Sequence, residues 1–143
     1  MGGGTITGIL ARGGHVLPTI ERLVLQPMSG VSLVRKWLFN HGWGLVDEEL
    51  VQEGERIYVI LVAEKKSKVS VPGELDLEVG PVLKEKKHPL LAAYLERKKK
   101  RYLDIWRGLS RSRQPAAAAR RQDIEKKIMQ LEEVIRCLSH AKK

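Results

Sequence analysis

An uninterrupted apolar run at residues 57–63, IYVILVA, constrains the fold more than any other segment of this chain. The run is far too short to cross a bilayer, and it is typical of a strand that is covered on both faces. We therefore predict a central strand over residues 56–63. A second strand is expected at residues 43–52, and the short link at residues 53–55, Glu-Gly-Glu, suits a hairpin. The two strands should pair antiparallel.

Three further elements are predicted upstream of this hairpin. Residues 5–11 have helical spacing and should form a short helix that ends near Gly13 and Gly14. Residues 21–26 form a short apolar run closed by Pro27, which is typical of a buried strand that stops at Gln26. A helix should follow from an N-cap at Ser29 or Ser32 to about Gly42, where glycine can adopt the left-handed cap conformation. Residues 65–77 are predicted to be a loop.

The last sixty or so residues have a different pattern. Apolar residues recur at alternating steps of three and four in two stretches separated by Gln114 and Pro115. The first seam has a gap at Lys98 and comprises Leu91, Leu95, Tyr102, Ile105 and Leu109; the second comprises Ile124, Ile128, Leu131, Ile135 and Leu138. Matching seams predict an antiparallel helical hairpin. We accordingly divide the chain into a first domain at residues 1–83 and a hairpin at residues 84–143.

Charge is distributed unevenly along the chain. The formal net charge is +9, yet Lys and Arg crowd residues 84–121 while residues 47–55 are acidic. This asymmetry favours a polyanionic partner, although basic residues can also merely solvate exposed helix faces. Trp106 lies beside Arg107 and could stack on a base. The carboxylates of Asp47, Glu48 and Glu49 are expected at a solvated strand edge.

Several classes of protein are disfavoured by the sequence. A single cysteine, Cys137, excludes an internal disulfide, and the four histidines are scattered without metal-ligand spacing. We expect no metal. The N-terminus lacks the basic and apolar regions of a signal peptide, so we expect a cytoplasmic protein without a membrane partner.

The residues of several segments are similar to the sequence motifs of one enzyme family. RLVLQP at residues 22–27 and VRKWL at residues 34–38 resemble the family's R-L-I-L-Q-P-N and I-R-E-W-L. Residues 45–50, 58–64 and 79–83 resemble its A-L-I-D-E-x-I, Y-E-V-L-V-A-E and V-G-P-x-L, in the same order. The family is that of bacterial tRNA (adenine(22)-N(1))-methyltransferases, which are class I enzymes dependent on S-adenosylmethionine.

The resemblance implies a fold and a set of site residues. It implies an α/β fold, the C-terminal half of a Rossmann-like methyltransferase sheet, followed by an antiparallel helical hairpin that forms a coiled coil. Residues 1–3, with Gly4, match the end of the family's G-M-G-G motif near the cofactor, so Gly2, Gly3 and Gly4 are candidate cofactor-binding residues. Taken alone, such a glycine-rich opening is more typical of a flexible terminus than of a binding loop. Gln26 and Pro27 are candidates for the floor of the substrate pocket, although Met28 departs from the family's asparagine.

The resemblance also implies an activity for the intact enzyme, which is methyl transfer to N1 of an adenosine in tRNA. The family's cofactor loop would lie upstream of Met1, so the sequence is expected to be a C-terminal fragment that does not bind S-adenosylmethionine alone. No residue is identified as a general base. The alternative is a non-catalytic, basic RNA-binding module, and an upstream reading frame encoding a D-x-G-x-D-H type loop would favour the enzyme.

Two kinds of partner are expected. The tRNA should contact basic residues of the first hairpin helix, namely Lys98, Lys99, Lys100, Arg101, Arg107 and Arg111. Self-association is expected through the strand at residues 23–26, because its family neighbour, the fourth strand, would precede Met1 and an unpaired strand edge invites association.

Overall fold

The computed structural model describes residues 1–141. The chain divides into two compact units, Met1–His88 and Pro89–Lys143. The first unit combines a three-stranded sheet with short helices, and the second contains two long helices. Each unit has apolar side chains that are fully buried, such as Leu61 in the first and Leu131 in the second.

The sheet is built from β1 (Arg22–Leu25), β2 (Trp43–Glu53) and β3 (Arg56–Lys65) in the order β1-β3-β2. Both outer strands pair antiparallel with β3, so β1 and β2 run parallel to each other on either side of it. This confirms the predicted central strand and the predicted hairpin, whose turn contains Gly54 at φ +62°. One face of β3 is buried and the other is half-buried, so the apolar run is explained by cover on both faces.

Four α-helices lie in the first unit. They are α1 (Gly3–Arg12), α2 (Val31–Asn40), α3 (Glu74–Val79) and α4 (Pro81–Glu85), with a 3-10 turn at Leu17–Thr19. The prediction of a loop over residues 65–77 is therefore wrong at its end, where α3 begins. Its buried residues, Leu77 and Val79, are too few to show helical periodicity in the sequence.

The start of α2 also differs from the prediction. Neither Ser29 nor Ser32 caps the helix; the N-cap is Gly30, in the left-handed conformation at φ +63°, and no side chain caps the helix there. The backbone around Ser29 is instead hydrogen-bonded to the start of α1, because Gly3 N–H donates to the Ser29 carbonyl. The predicted end of α2 is confirmed, with Gly42 at φ +81°.

The second unit consists of α5 (Leu91–Ser110) and α6 (Pro115–Ala141). Side-chain contacts pair α5 and α6 in opposite directions: Lys99 lies 4.0 Å from Glu132, and Trp106 Nε1 donates to Glu125 at 2.9 Å. Buried Ile124, Ile128 and Leu131 are seam positions of α6. In α5, however, Ile105 is 40% exposed and the half-buried neighbour is Trp106. The indole of Trp106 can bury more apolar surface than the Ile105 side chain, and its N–H has an acceptor in Glu125. The face of α5 that contacts α6 is therefore shifted by one residue from the predicted seam.

Candidate functional site

The glycine turn at residues 1–4 lies directly beside the segment that follows β1. Gly2 forms a parallel bridge with Ser29. Gly3 N–H donates to the Ser29 carbonyl at 2.6 Å, and Met28 N–H donates to the Met1 carbonyl at 2.7 Å. The tertiary structure thus brings the proposed cofactor glycines next to the turn that begins with Gln26 and Pro27. The two groups of candidate residues are adjacent, and we call this region the glycine junction (residues 1–4 and 26–30).

The three glycines have different environments within the glycine junction. A Cβ on Gly3 would collide with the Gly30 carbonyl and would lie 2.8 Å from the Ser29 carbonyl oxygen. One on Gly2 would lie 2.9 Å from Ser29 Oγ, whereas nothing lies within 4 Å of one on Gly4, which is exposed. Gly2 and Gly3 therefore permit close backbone packing, whereas the flank of Gly4 is open.

Gln26 and Pro27 also differ from each other. Gln26 is exposed, so its side-chain amide can donate to and accept from a ligand. Pro27 is buried and ends the strand. Met28 is 50% exposed and presents an apolar thioether. Of these three residues, Gln26 alone offers an accessible hydrogen-bonding side chain.

A buried ion pair was missed by the sequence reasoning. Arg35 Nε donates to Glu48 Oε2 at 2.7 Å, and both side chains are 0% exposed. Arg35 Nη1 also donates to the Leu77 carbonyl at 2.7 Å, while Glu48 Oε1 accepts the Val82 N–H at 2.8 Å. The prediction of a solvated strand edge is therefore wrong for Glu48. The pair fixes α2, β2 and the α3–α4 turn to one another.

The sequence contained a signal for this pair. Arg35 follows Val31 by four residues and precedes Leu38 by three, so it occupies an apolar-periodic position of α2. Glu48 lies two residues before buried Leu50, on the same face of β2. Charged residues at such positions are buried only when they are paired. The VGP turn contributes Gly80 at φ +100°, where a Cβ would lie 2.7 Å from Arg35 Nη2.

The neighbouring carboxylates of β2 are also paired. Lys86 Nζ donates to Asp47 Oδ1 at 3.0 Å and to Glu49 Oε2 at 2.9 Å, and His88 Nε2 hydrogen-bonds to Glu49 Oε1. The hydrogen bonds from Lys86 and then His88 lower the pKa of Glu49 below its ordinary value, and the bond to Glu49 raises the pKa of Lys86. These carboxylates connect β2 to the residues that follow α4.

Lys87, between these two anchored residues, has φ +51°. His88 N–H donates to the Leu83 carbonyl at 3.1 Å, and Lys87 N–H donates to the Lys84 carbonyl at 3.2 Å. This is the Schellman arrangement at the end of a helix, with lysine at the position that glycine usually occupies.

The basic candidates in the second unit separate into two groups. Lys98 Nζ lies 5.8 Å from the centre of the Tyr94 ring, and Lys99 lies 3.2 Å from Glu96 and 4.0 Å from Glu132. These two lysines are half-buried and engaged within the unit. The other candidates, Lys100, Arg101, Arg107 and Arg111, are exposed.

Trp106 is also engaged within the second unit. Besides the hydrogen bond to Glu125, its ring is covered by the Arg121 guanidinium at 4.5 Å. These contacts, together with its half-buried position, assign Trp106 to the packing between α5 and α6, and base stacking is not required to explain it.

Two negative findings apply to the part of the chain that the structure describes. None of its helices is long and apolar enough to cross a bilayer. Among residues 1–141, no group of three or more His, Cys, Asp or Glu could hold a metal ion.

Comparisons with known proteins agree on one family. A family model described as tRNA (adenine(22)-N(1))-methyltransferase matches residues 1–133. A Bacillus subtilis relative of that name is 35% identical over 92 residues, which cover 62% of this chain and 39% of the relative.

Solved structures show the same likeness. A Streptococcus agalactiae structure, described as a member of the NADB-Rossmann superfamily, superposes with a TM-score of 0.80 at 25% identity and covers 94% of this chain. A Streptococcus pneumoniae structure in complex with S-adenosyl-L-methionine has a TM-score of 0.74 at 30% identity and the same coverage. The predicted Rossmann-like α/β fold is confirmed. This chain spans 39% of the B. subtilis relative and 56% of each of these two structures.

Proposed function

Because this chain belongs to the tRNA (adenine(22)-N(1))-methyltransferase family, we propose that it acts as part of an enzyme that methylates N1 of an adenosine in tRNA. The single observation that carries the proposal is the family match over residues 1–133, which includes the glycine junction and most of both helices of the second unit. The first unit contributes to the methyltransferase domain, and the second contacts RNA.

The proposed cofactor is S-adenosylmethionine, as found in the S. pneumoniae structure. It supplies an electrophilic methyl group. The open flank of Gly4 and the exposed amide of Gln26 fit a small polar ligand at the glycine junction. Gly2 and Gly3 hold this surface in place through their hydrogen-bonded contact with residues 28–30.

The contribution of this chain to catalysis is one of positioning. The N1 atom of adenosine must be unprotonated and aligned with the methyl group, and correct alignment can supply a large part of the rate. We assign Gln26 and Pro27 to the floor of the pocket, where the rigid proline fixes the backbone and the amide of Gln26 can orient a base.

The second unit supplies the proposed tRNA contact. We propose that α5 and α6 form a coiled coil, which the seam of Ile124, Ile128 and Leu131 supports. Lys98, Lys99, Lys100, Arg101, Arg107 and Arg111 give α5 its positive charge, which favours a polyanion. A tRNA substrate and a single cysteine also support a cytoplasmic location. We further propose self-association through the exposed edge of β1, where Val24 is 64% exposed.

A chimera tests the proposed activity. The part of the B. subtilis relative that precedes its aligned segment is joined to Met1, and the product is incubated with S-adenosylmethionine and a tRNA transcript carrying adenosine at position 22. We expect 1-methyladenosine, measured by mass spectrometry, and none in a transcript with guanosine at that position. The 143-residue chain alone should show no micromolar binding of S-adenosylmethionine in a calorimetric titration.

Two glycine substitutions in the chimera test the role of the junction. Gly3→Val should lower kcat/KM at least tenfold, about 1.4 kcal/mol of transition-state stabilisation, because its side chain would push α1 away from Gly30. Gly8→Ala, in the same helix with nothing within 4 Å, should leave kcat/KM unchanged. A chimera that binds tRNA but forms no 1-methyladenosine would favour the alternative of a non-catalytic RNA-binding module.

A further inference from the structure

We propose that Lys100, Arg107 and Arg111 form the RNA-contact line of the second unit, with the phosphates of an RNA backbone as the partner. We call these three residues the α5 stripe. This inference rests on the proposed function, since it takes RNA as the ligand, and it selects half of the basic residues that the sequence predicted. Packing engages Lys98 and Lys99 within the unit. Helical geometry excludes Arg101, which is exposed but lies about 100° around the helix axis from Lys100.

Helical geometry places the α5 stripe on one face. Lys100, Arg107 and Arg111 are seven and four residues apart, so they lie on one side of the helix at intervals of about 10 Å and about 6 Å along its axis. All three are exposed, and the Arg107 side chain is 67% exposed. The opposite side carries buried Leu91 and Leu95, so the α5 stripe faces solvent.

Four other cations of the second unit are already engaged. Lys99 is 22% exposed and paired with two carboxylates, and Lys98 lies over an aromatic ring. Arg121 and Lys127 lie over Trp106 and Tyr102 at 4.5 and 5.7 Å. A phosphate would have to compete with these contacts. Lys100 and Arg111, by contrast, form no ion pair with a carboxylate anywhere in residues 1–141.

The exposed face of α6 does not offer a comparable line. Its exposed charged residues are of mixed sign: Arg120, Lys126 and Arg136 are positive, whereas Asp123, Glu125, Glu132 and Glu133 are negative. A polyanion would meet attraction and repulsion in nearly equal measure along this face. Charge complementarity therefore assigns the contact to α5 rather than α6.

Two other residues on α5 affect how closely an RNA backbone could approach: Gly108 would permit it, and Asp104 would oppose it. Gly108 is exposed, lies in the helix, and has nothing within 4 Å of the position of a Cβ. Glycine weakens a helix, and no contact in the described chain requires it, so an open flank beside Arg107 and Arg111 suits close approach by a partner. Asp104, which is 66% exposed and 3.7 Å from Arg107, interrupts the positive line.

Salt-dependent binding of an unmodified tRNA transcript to the complete 143-residue chain tests the α5 stripe. Fluorescence anisotropy gives the affinity over a series of KCl concentrations, and circular dichroism checks that each variant keeps its helices. The test variant is Lys100→Gln with Arg107→Gln. The matched control is Lys126→Gln with Arg136→Gln, which removes the same charge from exposed positions of α6.

We expect the test variant to lower the slope of log affinity against log salt by about 1.4 to 1.8, since each lost phosphate contact changes it by roughly 0.7 to 0.9. The control should leave the slope unchanged. Asp104→Asn should raise the affinity by removing a repulsive charge.

Equal losses in the test and control variants would overturn the α5 stripe and indicate diffuse attraction instead. Absence of salt-dependent tRNA binding by the unmodified chain would overturn it as well. Neither result affects the proposed methyl transfer, which is judged separately by 1-methyladenosine formation in the chimera.

Discussion

Lys87 lies in a backbone conformation that favours glycine. Its φ of +51° is required by the Schellman hydrogen bonds at the end of α4. The anchored side chains on either side, Lys86 and His88, fix this turn from β2. Strain of this kind persists where surrounding contacts determine the conformation.

Replacement of Lys87 by glycine should stabilise the protein. The left-handed conformation costs a non-glycine residue about 1–2 kcal/mol, and glycine adds about 0.5–1 kcal/mol of unfolded-state entropy. We therefore expect Lys87→Gly to raise the free energy of unfolding by about 0.5–1 kcal/mol, measured by urea denaturation. Lys84→Gly, within the helix, serves as the control and should destabilise by about 1 kcal/mol. An unfolding midpoint for Lys87→Gly below that of the unmodified chain would contradict the explanation.

The buried Arg35–Glu48 pair predicts a large effect from one substitution. Glu48→Gln leaves the Arg35 guanidinium buried without its counter-charge, which should cost about 3–5 kcal/mol of stability. Glu64→Gln at the exposed Arg22–Glu64 pair should cost no more than about 1 kcal/mol. Chemical denaturation of the complete chain and of the two variants would measure both losses of stability.

A double substitution separates charge burial from packing. Arg35→Met with Glu48→Met removes both charges, so it should destabilise less than Glu48→Gln alone. If the double variant is the less stable of the two, loss of the hydrogen bonds to Leu77 and Val82 is the dominant effect.

At the scale of elements, β2 and α4 are connected by side chains rather than by adjacency in sequence. Asp47 and Glu49 lie on one face of β2, and both contact Lys86. Glu48 lies on the other face and accepts a hydrogen bond from the first turn of α4. One strand therefore holds α4 through both of its faces, and the period of two along a strand is what permits this.

The pKa of Glu49 predicts how stability depends on pH. Because its pKa in the folded state is lowered from the ordinary 4.5 by Lys86 and His88, its contribution is present above pH 4.5 and is lost as pH falls through the folded-state pKa. The raised pKa of Lys86 has the opposite consequence: its contribution is present below the ordinary 10.5 and is lost as pH rises above it. Glu49→Gln should therefore flatten the loss of stability between neutral and acidic pH. Denaturation midpoints at a series of pH values give this dependence. If Glu49→Gln lost stability at acidic pH as steeply as the unmodified chain, the contacts of Glu49 with Lys86 and His88 would be excluded as the cause.

At the scale of the whole chain, apolar exposure is concentrated near the start. Met1, Ile9, Val16, Val24, Met28 and Leu33 are all between 45% and 65% exposed. Most of them lie in or beside α1, β1 and the start of α2, next to the open edge of β1. Exposed strand edges flanked by apolar side chains favour association.

A charge placed on the edge strand should reduce this association. Val24→Lys should lower the concentration-dependent increase in sedimentation coefficient, because a lysine on an edge strand opposes pairing between chains. Val71→Lys adds the same charge at a similarly exposed valine outside the sheet and should have little effect. Equal effects of the two substitutions, or a strictly monomeric unmodified chain, would show that the β1 edge does not mediate association.

The sequence by itself determined the elements with strong local signals. The apolar run at residues 57–63 predicted the central strand, the Glu-Gly-Glu link predicted the hairpin, and glycine correctly marked the end of α2. Pro27 marked the end of β1 to within one residue, but the prediction that this strand is buried is wrong, because none of its residues is buried and Val24 is 64% exposed. These features depend on backbone conformation and hydrophobic periodicity, which are properties of neighbouring residues. The motif order also identified the family, since such motifs are read residue by residue.

Only the tertiary structure decided which polar residues have partners. Glu48 and Glu49 are adjacent and chemically alike, yet one is fully buried against Arg35 and the other is bonded to Lys86 and His88 at the surface. Likewise, Lys99 is engaged while Lys100 is exposed. Burial and pairing depend on residues distant in sequence, and the energy of a charge depends on its partner and on its access to water. The local sequence pattern specifies neither the partner of a charge nor its access to water. Only the folded chain therefore separates a charge with a structural partner from one that is available to a ligand.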